Sequence, residues 1–186
     1  MTISLRQLPN LISLFRIALI VPIAAALLHR EWSATLAMFF VAAVSDAADG
    51  FLAKQFGWQT DLGGLLDPIA DKLLIATVFV TLTVQGSVPL WLTAAVVGRD
   101  LVIVLGALAY RLWLGRLRAQ PTAVSKLNTL FQLTFILCVV ARREFALPPA
   151  WLETLLGALV LVTTAVSGAD YVLTYGGRAA QARRVA

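Results

Sequence analysis

The sequence predicts an all-α, polytopic membrane protein, with six transmembrane helices in one bundle and no separate soluble domain. Two observations carry this prediction. Of 186 residues, 60% are hydrophobic and only 13% are charged; a soluble domain is about half apolar and about a quarter charged. The apolar residues also fall into six runs of bilayer-spanning length, which takes roughly 20 mostly apolar residues.

The runs cover about 11–29, 33–53, 64–85, 89–111, 124–142 and 150–174. Pro9 and Asn10 mark the start of the first, with Asn10 placed to cap it. Gly86 and Pro89 separate the third from the fourth. Pro121 precedes the fifth, and Pro148-Pro149 precede the sixth. The connections leave no room for another domain, so residues 1–186 are expected to form a single one. Neither an internal repeat nor a low-complexity segment stands out. A cleaved leader is not expected, because the first run begins at Leu11 without a small-residue cleavage site.

The net charge of +5 does not point to nucleic acid. The cations sit at the ends of apolar runs, where anionic lipid head groups would meet them. One set of ends carries Arg6, Lys54, Arg111, Arg116, Arg118, Arg178, Arg183 and Arg184; the other carries Arg30, Arg142 and Arg143. The richer set is expected on the cytoplasmic side, with both termini and the loop at about 55–62. The single cysteine, Cys138, lies in an apolar run, so no intramolecular disulfide can form.

One stretch breaks the apolar pattern. Between Asp46 and Lys72, "DAADGFLAKQFGWQTDLGGLLDPIADK" holds Asp46, Asp49, Asp61, Asp67 and Asp71, five of the ten acidic residues in the chain. Asp46, Asp49, Gly50 and Ala53 have the i, i+3, i+4, i+7 spacing of one helix face. Gly63, Asp67 and Asp71 share a face of the next helix. A short loop with Gly57 joins the two, which makes them antiparallel neighbours and lets four carboxylates converge. Bare carboxylates crowded into a low-dielectric bundle repel one another. Divalent metal relieves this, and hard oxygen ligands suit Mg²⁺ or Mn²⁺ rather than zinc. Two such ions form a clamp for a phosphoryl centre. Gly50, Gly63 and Gly64 leave space for a bulky ligand near the backbone. The competing readings are salt bridges to Lys54 and Lys72, or an ion path lined by Asp, as in a small ion or solute transporter.

The same stretch resembles the signature of the CDP-alcohol phosphotransferases, D-x-x-D-G-x-x-A-R, eight residues, then G-x-x-x-D-x-x-x-D. Here it reads Asp46, Asp49, Gly50, Ala53, Lys54, then Gly63, Asp67, Asp71, with every spacing kept. Lys54 replaces the family's arginine, a point charge in place of a bidentate fork. The resemblance implies six transmembrane helices, a homodimer and two divalent ions, Mg²⁺ or Mn²⁺. It implies Asp46, Asp49 and Asp67 as metal ligands, with Asp71 as the general base that also touches metal. It implies CDP-diacylglycerol as donor, held near Gly50, Ala53, Gly63 and Lys54. The opening "LPNLISLFRI" is similar to a family pattern, with Asn10 and Arg16 near the nucleotide. The expected setting is a bacterial inner membrane, with the site facing the cytoplasm.

The implied reaction passes a phosphatidyl group to an acceptor hydroxyl and releases CMP. A covalent histidine route, of the phospholipase D type, needs two histidine motifs, and the chain has only His29. For the acceptor, Arg99 lies within the fourth run, where an intramembrane cation needs a partner. Asp100 adjoins it but leaves the helix about 100° away, and is expected to pair poorly. Arg99 and Lys126 are both candidates for an acceptor phosphate. "GRDLVIV" and "SKLNTLFQ" look most like CMP-forming cardiolipin synthases, whose acceptor is phosphatidylglycerol. The competitor is phosphatidylglycerophosphate synthase, which uses glycerol 3-phosphate. Relatives of that kind tend to carry a second lysine two residues after the one matching Lys126. This chain has Asn128 there, one cation fewer for a phosphate monoester.

Overall fold

The structure is a computed structural model that describes the backbone of residues 8–56, 63–114 and 123–185, and the side chains of residues 12–45, 69–106 and 123–174. The described residues form six helices and no strand: α1 Leu8–Leu28, α2 Trp32–Phe56, α3 Gly63–Val84, α4 Leu90–Leu114, α5 Ala123–Phe145 and α6 Ala150–Val185. Each expected run is a helix. The largest difference is at the end of α6, which continues past 174 to Val185. The tail there, "GGRAAQARRV", is rich in alanine, arginine and glutamine, good helix formers that carry a helix on without an apolar face. Asn10 is a second correction. Residues 8–28 are helical, so Asn10 lies inside α1 rather than at its cap.

Two units divide the chain. The first holds α1, α2 and α3 together with Val139–Pro148. The second holds α4, α5 as far as Cys138, and α6.

In the first unit α1 packs against both α2 and α3. Ile23, Leu27, Phe39, Val78, Phe79 and Leu82 are buried there. Two polar ties fix the direction of α3. Arg16 meets Asp71 towards one end, and the Gln85 side-chain amide donates to the Leu27 carbonyl at the other. Helices α1 and α3 therefore run parallel. Both close with the same cap. Glu31 N–H reaches back to Ala26 and Arg30 N–H to Leu27, just as Ser87 reaches Leu82 and Gly86 reaches Thr83. The left-handed residue each cap requires is Arg30, at φ 60°, and Gly86, at φ 72°.

In the second unit α4 and α6 pack together. A Cβ on Gly157 would lie 3.3 Å from Phe135 and 3.8 Å from Leu92, one on Gly168 would lie 3.6 Å from Arg99, and one on Gly106 would lie 2.9 Å from Tyr171. Contacts 92–157, 99–168 and 106–171 advance together, so α4 and α6 are parallel. The pairs Phe135–Gly157 and Asn128–Thr164 run the other way, which makes α5 antiparallel to α6. Small residues at helix contacts are how bundles in lipid bring backbones close.

Two segments, Ala123–Phe145 and Ala150–Thr174, are long and apolar enough to cross a membrane, and shorter apolar runs cover Ile12–Leu28 and Trp32–Ser45. Val21, Phe40, Val84, Leu90 and Leu173 are each more than 70% exposed. Hydroxyls inside the helices bond their own backbone: Ser45 to Val41, Thr81 to Thr77, Thr83 to Phe79 and Thr134 to Leu130, at 2.7–2.8 Å. Back-bonding of this kind satisfies a hydroxyl where water is absent.

Candidate active site

Position 46 lies about 21 Å along α2 from Trp32, and Arg16 lies about 18 Å back along α1 from Leu28, at 1.5 Å per residue. The two helices are joined at that end by residues 29–31 alone. The backbone of the Asp46–Asp49 turn is thus about level with Arg16. Arg16 is 1% exposed, and its Nη1 donates to Asp71 Oδ1 at 2.5 Å. The structure so brings together Asp71 and Arg16, the residue that the opening pattern placed near the nucleotide. The side chains of Asn10, Asp46, Asp49, Gly50, Ala53, Lys54, Gly63 and Asp67 lie outside the described residues, as does the loop at 57–62.

Among the described residues no group of three or more His, Cys, Asp or Glu is placed to hold a metal; Asp71 alone of the four motif carboxylates falls within them. The donor set itself fits hard divalent cations, since it offers carboxylate oxygens and neither sulfur nor imidazole. Arg16 balances one of the four negative charges.

The acceptor candidates fall in the second unit. Arg99 is 7% exposed. Its Nη1 donates to Asp100 Oδ1 at 2.6 Å, against the expectation that Asp100 is a poor partner. The expectation followed Cβ directions; the long arginine arm curls round the helix and reaches the neighbouring carboxylate. Nη2 donates to Ser125 Oγ at 2.7 Å and to Ser167 Oγ, which joins α4 to α5 and α6. Lys126, one residue on from Ser125, is exposed.

Asn128 is fully buried. Its Oδ1 accepts from Thr164 Oγ1 at 2.9 Å and from Thr163 Oγ1 at 2.9 Å, the latter hydroxyl shared with the Leu159 carbonyl. Asn128 therefore ties α5 to α6, and a lysine there would have to bury its ammonium between two threonines. Gln132, one turn along α5, is 1% exposed. Among the described residues, Arg99 Nε, Asn128 Nδ2 and Gln132 Nε2 are buried with no hydrogen-bond partner. The sequence shows Asn128 and Gln132 four apart in "SKLNTLFQ", which is one helix face. Ser167 and Thr164 carry no such signal, because isolated hydroxyls in apolar helices ordinarily bond their own backbone.

Six helices, with the aspartate motif on α2 and α3, define the class. The sequence matches the CDP-alcohol phosphatidyltransferase family over residues 6–173, and the chain belongs to that family. It is 29% identical to a cardiolipin synthase (CMP-forming) of Rattus norvegicus, over 88% of this chain and 60% of that one. It is 33% identical to a chloroplastic CDP-diacylglycerol--glycerol-3-phosphate 3-phosphatidyltransferase 1 of Oryza sativa, over 91% of this chain and 57% of the other. It is likewise 33% identical to a CDP-diacylglycerol--glycerol-3-phosphate 3-phosphatidyltransferase of Shigella flexneri, over 87% of this chain and 88% of the other. The chain spans about three fifths of the length of the rat and rice relatives.

Proposed function

We propose that the chain spans the membrane six times and transfers a phosphatidyl group from CDP-diacylglycerol to a hydroxyl acceptor, releasing CMP. The observation that carries this reading is the complete aspartate motif, Asp46 to Asp71, inside the matched residues 6–173. Asp46, Asp49, Asp67 and Asp71 would hold two divalent ions, Mg²⁺ or Mn²⁺, which when bound would neutralise the donor's pyrophosphate. Gly50, Ala53 and Gly63 would leave room for the nucleotide, and Lys54 and Asn10 would supply it with donors. Asp71 takes the proton of the acceptor hydroxyl. The hydroxyl oxygen bonds the lipid-side phosphorus, the bond from that phosphorus to the bridging oxygen breaks, and CMP leaves with the electron pair. Arg16 holds Asp71 Oδ1 and so fixes the orientation of the base. Positioning of this kind supplies much of the acceleration in phosphoryl transfer.

For the acceptor, phosphatidylglycerol is favoured, giving cardiolipin. Asn128 is the supporting residue: it is a neutral amide committed to α6, where relatives that use glycerol 3-phosphate tend to carry a second lysine. The alternative acceptor is glycerol 3-phosphate, named in the rice and Shigella relatives. A homodimer in a bacterial inner membrane, with the site open to the cytoplasm, is the setting that suits a lipid donor and a water-soluble nucleotide product. The test is CMP release by the purified chain from CDP-diacylglycerol. Release that requires Mg²⁺ or Mn²⁺ and stops on chelation supports the proposal. Full release in excess chelator, or no release with any acceptor, refutes it.

A further inference from the structure

Helices α4 and α6 of the second unit are parallel, so their first turns lie at one end and their last turns at the other. The two ends differ in chemistry. Trp91 and Trp151 each stand second in their helix, and both are exposed. An indole at the end of an apolar helix belongs at the boundary between hydrocarbon and head groups, where its ring is buried and its N–H is hydrated. The far end is basic. It carries Arg111 on α4 and Arg178, Arg183 and Arg184 on α6. No acidic residue follows Asp100 on α4 or Asp170 on α6.

Axial distances place these arginines. From Trp91 to Arg111 is about 30 Å of helix at 1.5 Å per residue, about the thickness of the hydrocarbon core. With Trp91 at one boundary, Arg111 reaches the other. The contact between Gly106 and Tyr171 sets the register of α6. Arg111 lies about 8 Å beyond Gly106, and Arg178 about 11 Å beyond Tyr171. The two are therefore level to within about 3 Å. Helix α6 runs past its apolar span, which closes at Thr174, to Val185. It carries Arg183 and Arg184 about 8–9 Å further out than Arg178. All four positions thus fall in the head-group layer of one leaflet or within a Debye length of it, about 8 Å at physiological salt.

We propose that this end of the second unit is a docking surface for anionic phospholipid head groups, drawn in from the surrounding leaflet by Arg111, Arg178, Arg183 and Arg184. Four arginines with no carboxylate among them repel one another unless anions arrive, and the guanidinium fork suits phosphate oxygens. Basic clusters of this size beside a membrane span bind anionic leaflets. A soluble acidic protein or a nucleic acid fits less well, because Arg111 and Arg178 stand at a level that lipid head groups already occupy. The inference rests on the membrane-spanning reading above and is independent of the reaction, since it extends to lipids the enzyme does not consume.

Lipid selectivity, read by electron paramagnetic resonance, tests this without turnover. The full chain is reconstituted in phosphatidylcholine vesicles. Spin-labelled phosphatidylserine, which has neither a free hydroxyl nor a CDP group, is compared with spin-labelled phosphatidylcholine in the motionally restricted layer around the protein. The wild-type chain is expected to prefer phosphatidylserine at least about threefold. The preference should shrink in about 1 M salt, where the Debye length falls to about 3 Å. Replacing Arg111, Arg178, Arg183 and Arg184 together by glutamine should bring it to about one. Arg183→Gln with Arg184→Gln, beyond the apolar span, should remove at least about half of it, and serves if the fourfold variant does not fold. Arg30→Gln with Arg143→Gln, exposed cations of the first unit, should leave it unchanged. Circular dichroism and monodisperse elution confirm folding. No preference in the wild type overturns the proposal. So does a preference undiminished in the folded variants of α4 and α6, or one lost equally in the first-unit variant, which would make it an effect of net charge. CMP release decides the transferase reading separately: release without lipid preference sinks this surface alone, and preference without release sinks the reaction alone.

Discussion

The two units share a helix plan and differ in chemistry. In each, the first and third helices run parallel, and a buried arginine sits on the first. Arg16 finds its carboxylate on another helix, 55 residues away. Arg99 finds one next door in sequence and gives its Nη2 hydrogens to serines on two further helices. The four motif aspartates belong to α2 and α3 of the first unit. In the second, Arg99 Nε, Asn128 Nδ2 and Gln132 Nε2 are buried without a hydrogen-bond partner among the described residues. A surplus of carboxylates asks for cations, and a surplus of buried N–H groups asks for oxygens.

The contrast is broken most severely at the carboxylates. Asp46→Asn, Asp49→Asn and Asp67→Asn are each expected to abolish turnover while the protein still inserts into membranes, as read by CMP release and membrane fractionation. Asp71→Asn keeps the shape but cannot take a proton. It should lose at least about 10²-fold in rate, the lower end for general-base catalysis, with CDP-diacylglycerol binding retained. Wild-type turnover in that variant would move the base elsewhere.

The two arginines sharpen the comparison. Arg16→Met removes the group that orients Asp71, so kcat is expected to fall with the KM for donor and acceptor little changed. Arg16→Lys should recover part of it. Arg99→Met should act on the acceptor side, raising its KM and leaving that of CDP-diacylglycerol alone. A raised donor KM in Arg99→Met would erase the division of labour. Next in size is Asn128→Ala. It removes the acceptor of Thr163 and Thr164, which should cost about 1–3 kcal/mol, the range for a buried group left unsatisfied. A lowered denaturation midpoint in detergent would show it, and an unchanged midpoint would deny that Asn128 ties α5 to α6. Lys54→Ala is the smallest. It should raise the donor KM only, because a lysine contributes a point charge rather than a fork, and Lys54→Arg should be tolerated.

Much of this was legible in the sequence. Six apolar runs bounded by Pro9, Gly86, Pro121 and Pro148-Pro149 became six helices, because helix is the conformation that satisfies every backbone group within one apolar segment. The aspartate motif was legible through spacing. What sequence hid were relations that depend on reach. Arg99 pairs with Asp100 because a long flexible arm defeats the 100° between them. Asn128 showed its neutral charge in the sequence, but not its place between two threonines of α6. Ser167 looked like any hydroxyl in an apolar helix. The apolar run 150–174 matches the candidate span Ala150–Thr174, and α6 continues past it because an alanine- and arginine-rich tail stays helical without an apolar face.

The most direct measurement is a competition between acceptors. The purified full chain, with Mg²⁺ and CDP-diacylglycerol, is given phosphatidylglycerol and glycerol 3-phosphate together, and the lipid products are identified by mass spectrometry alongside the CMP formed. The account predicts cardiolipin in step with CMP, and little phosphatidylglycerophosphate. Phosphatidylglycerophosphate as the main product, with no cardiolipin, would contradict the lipid acceptor.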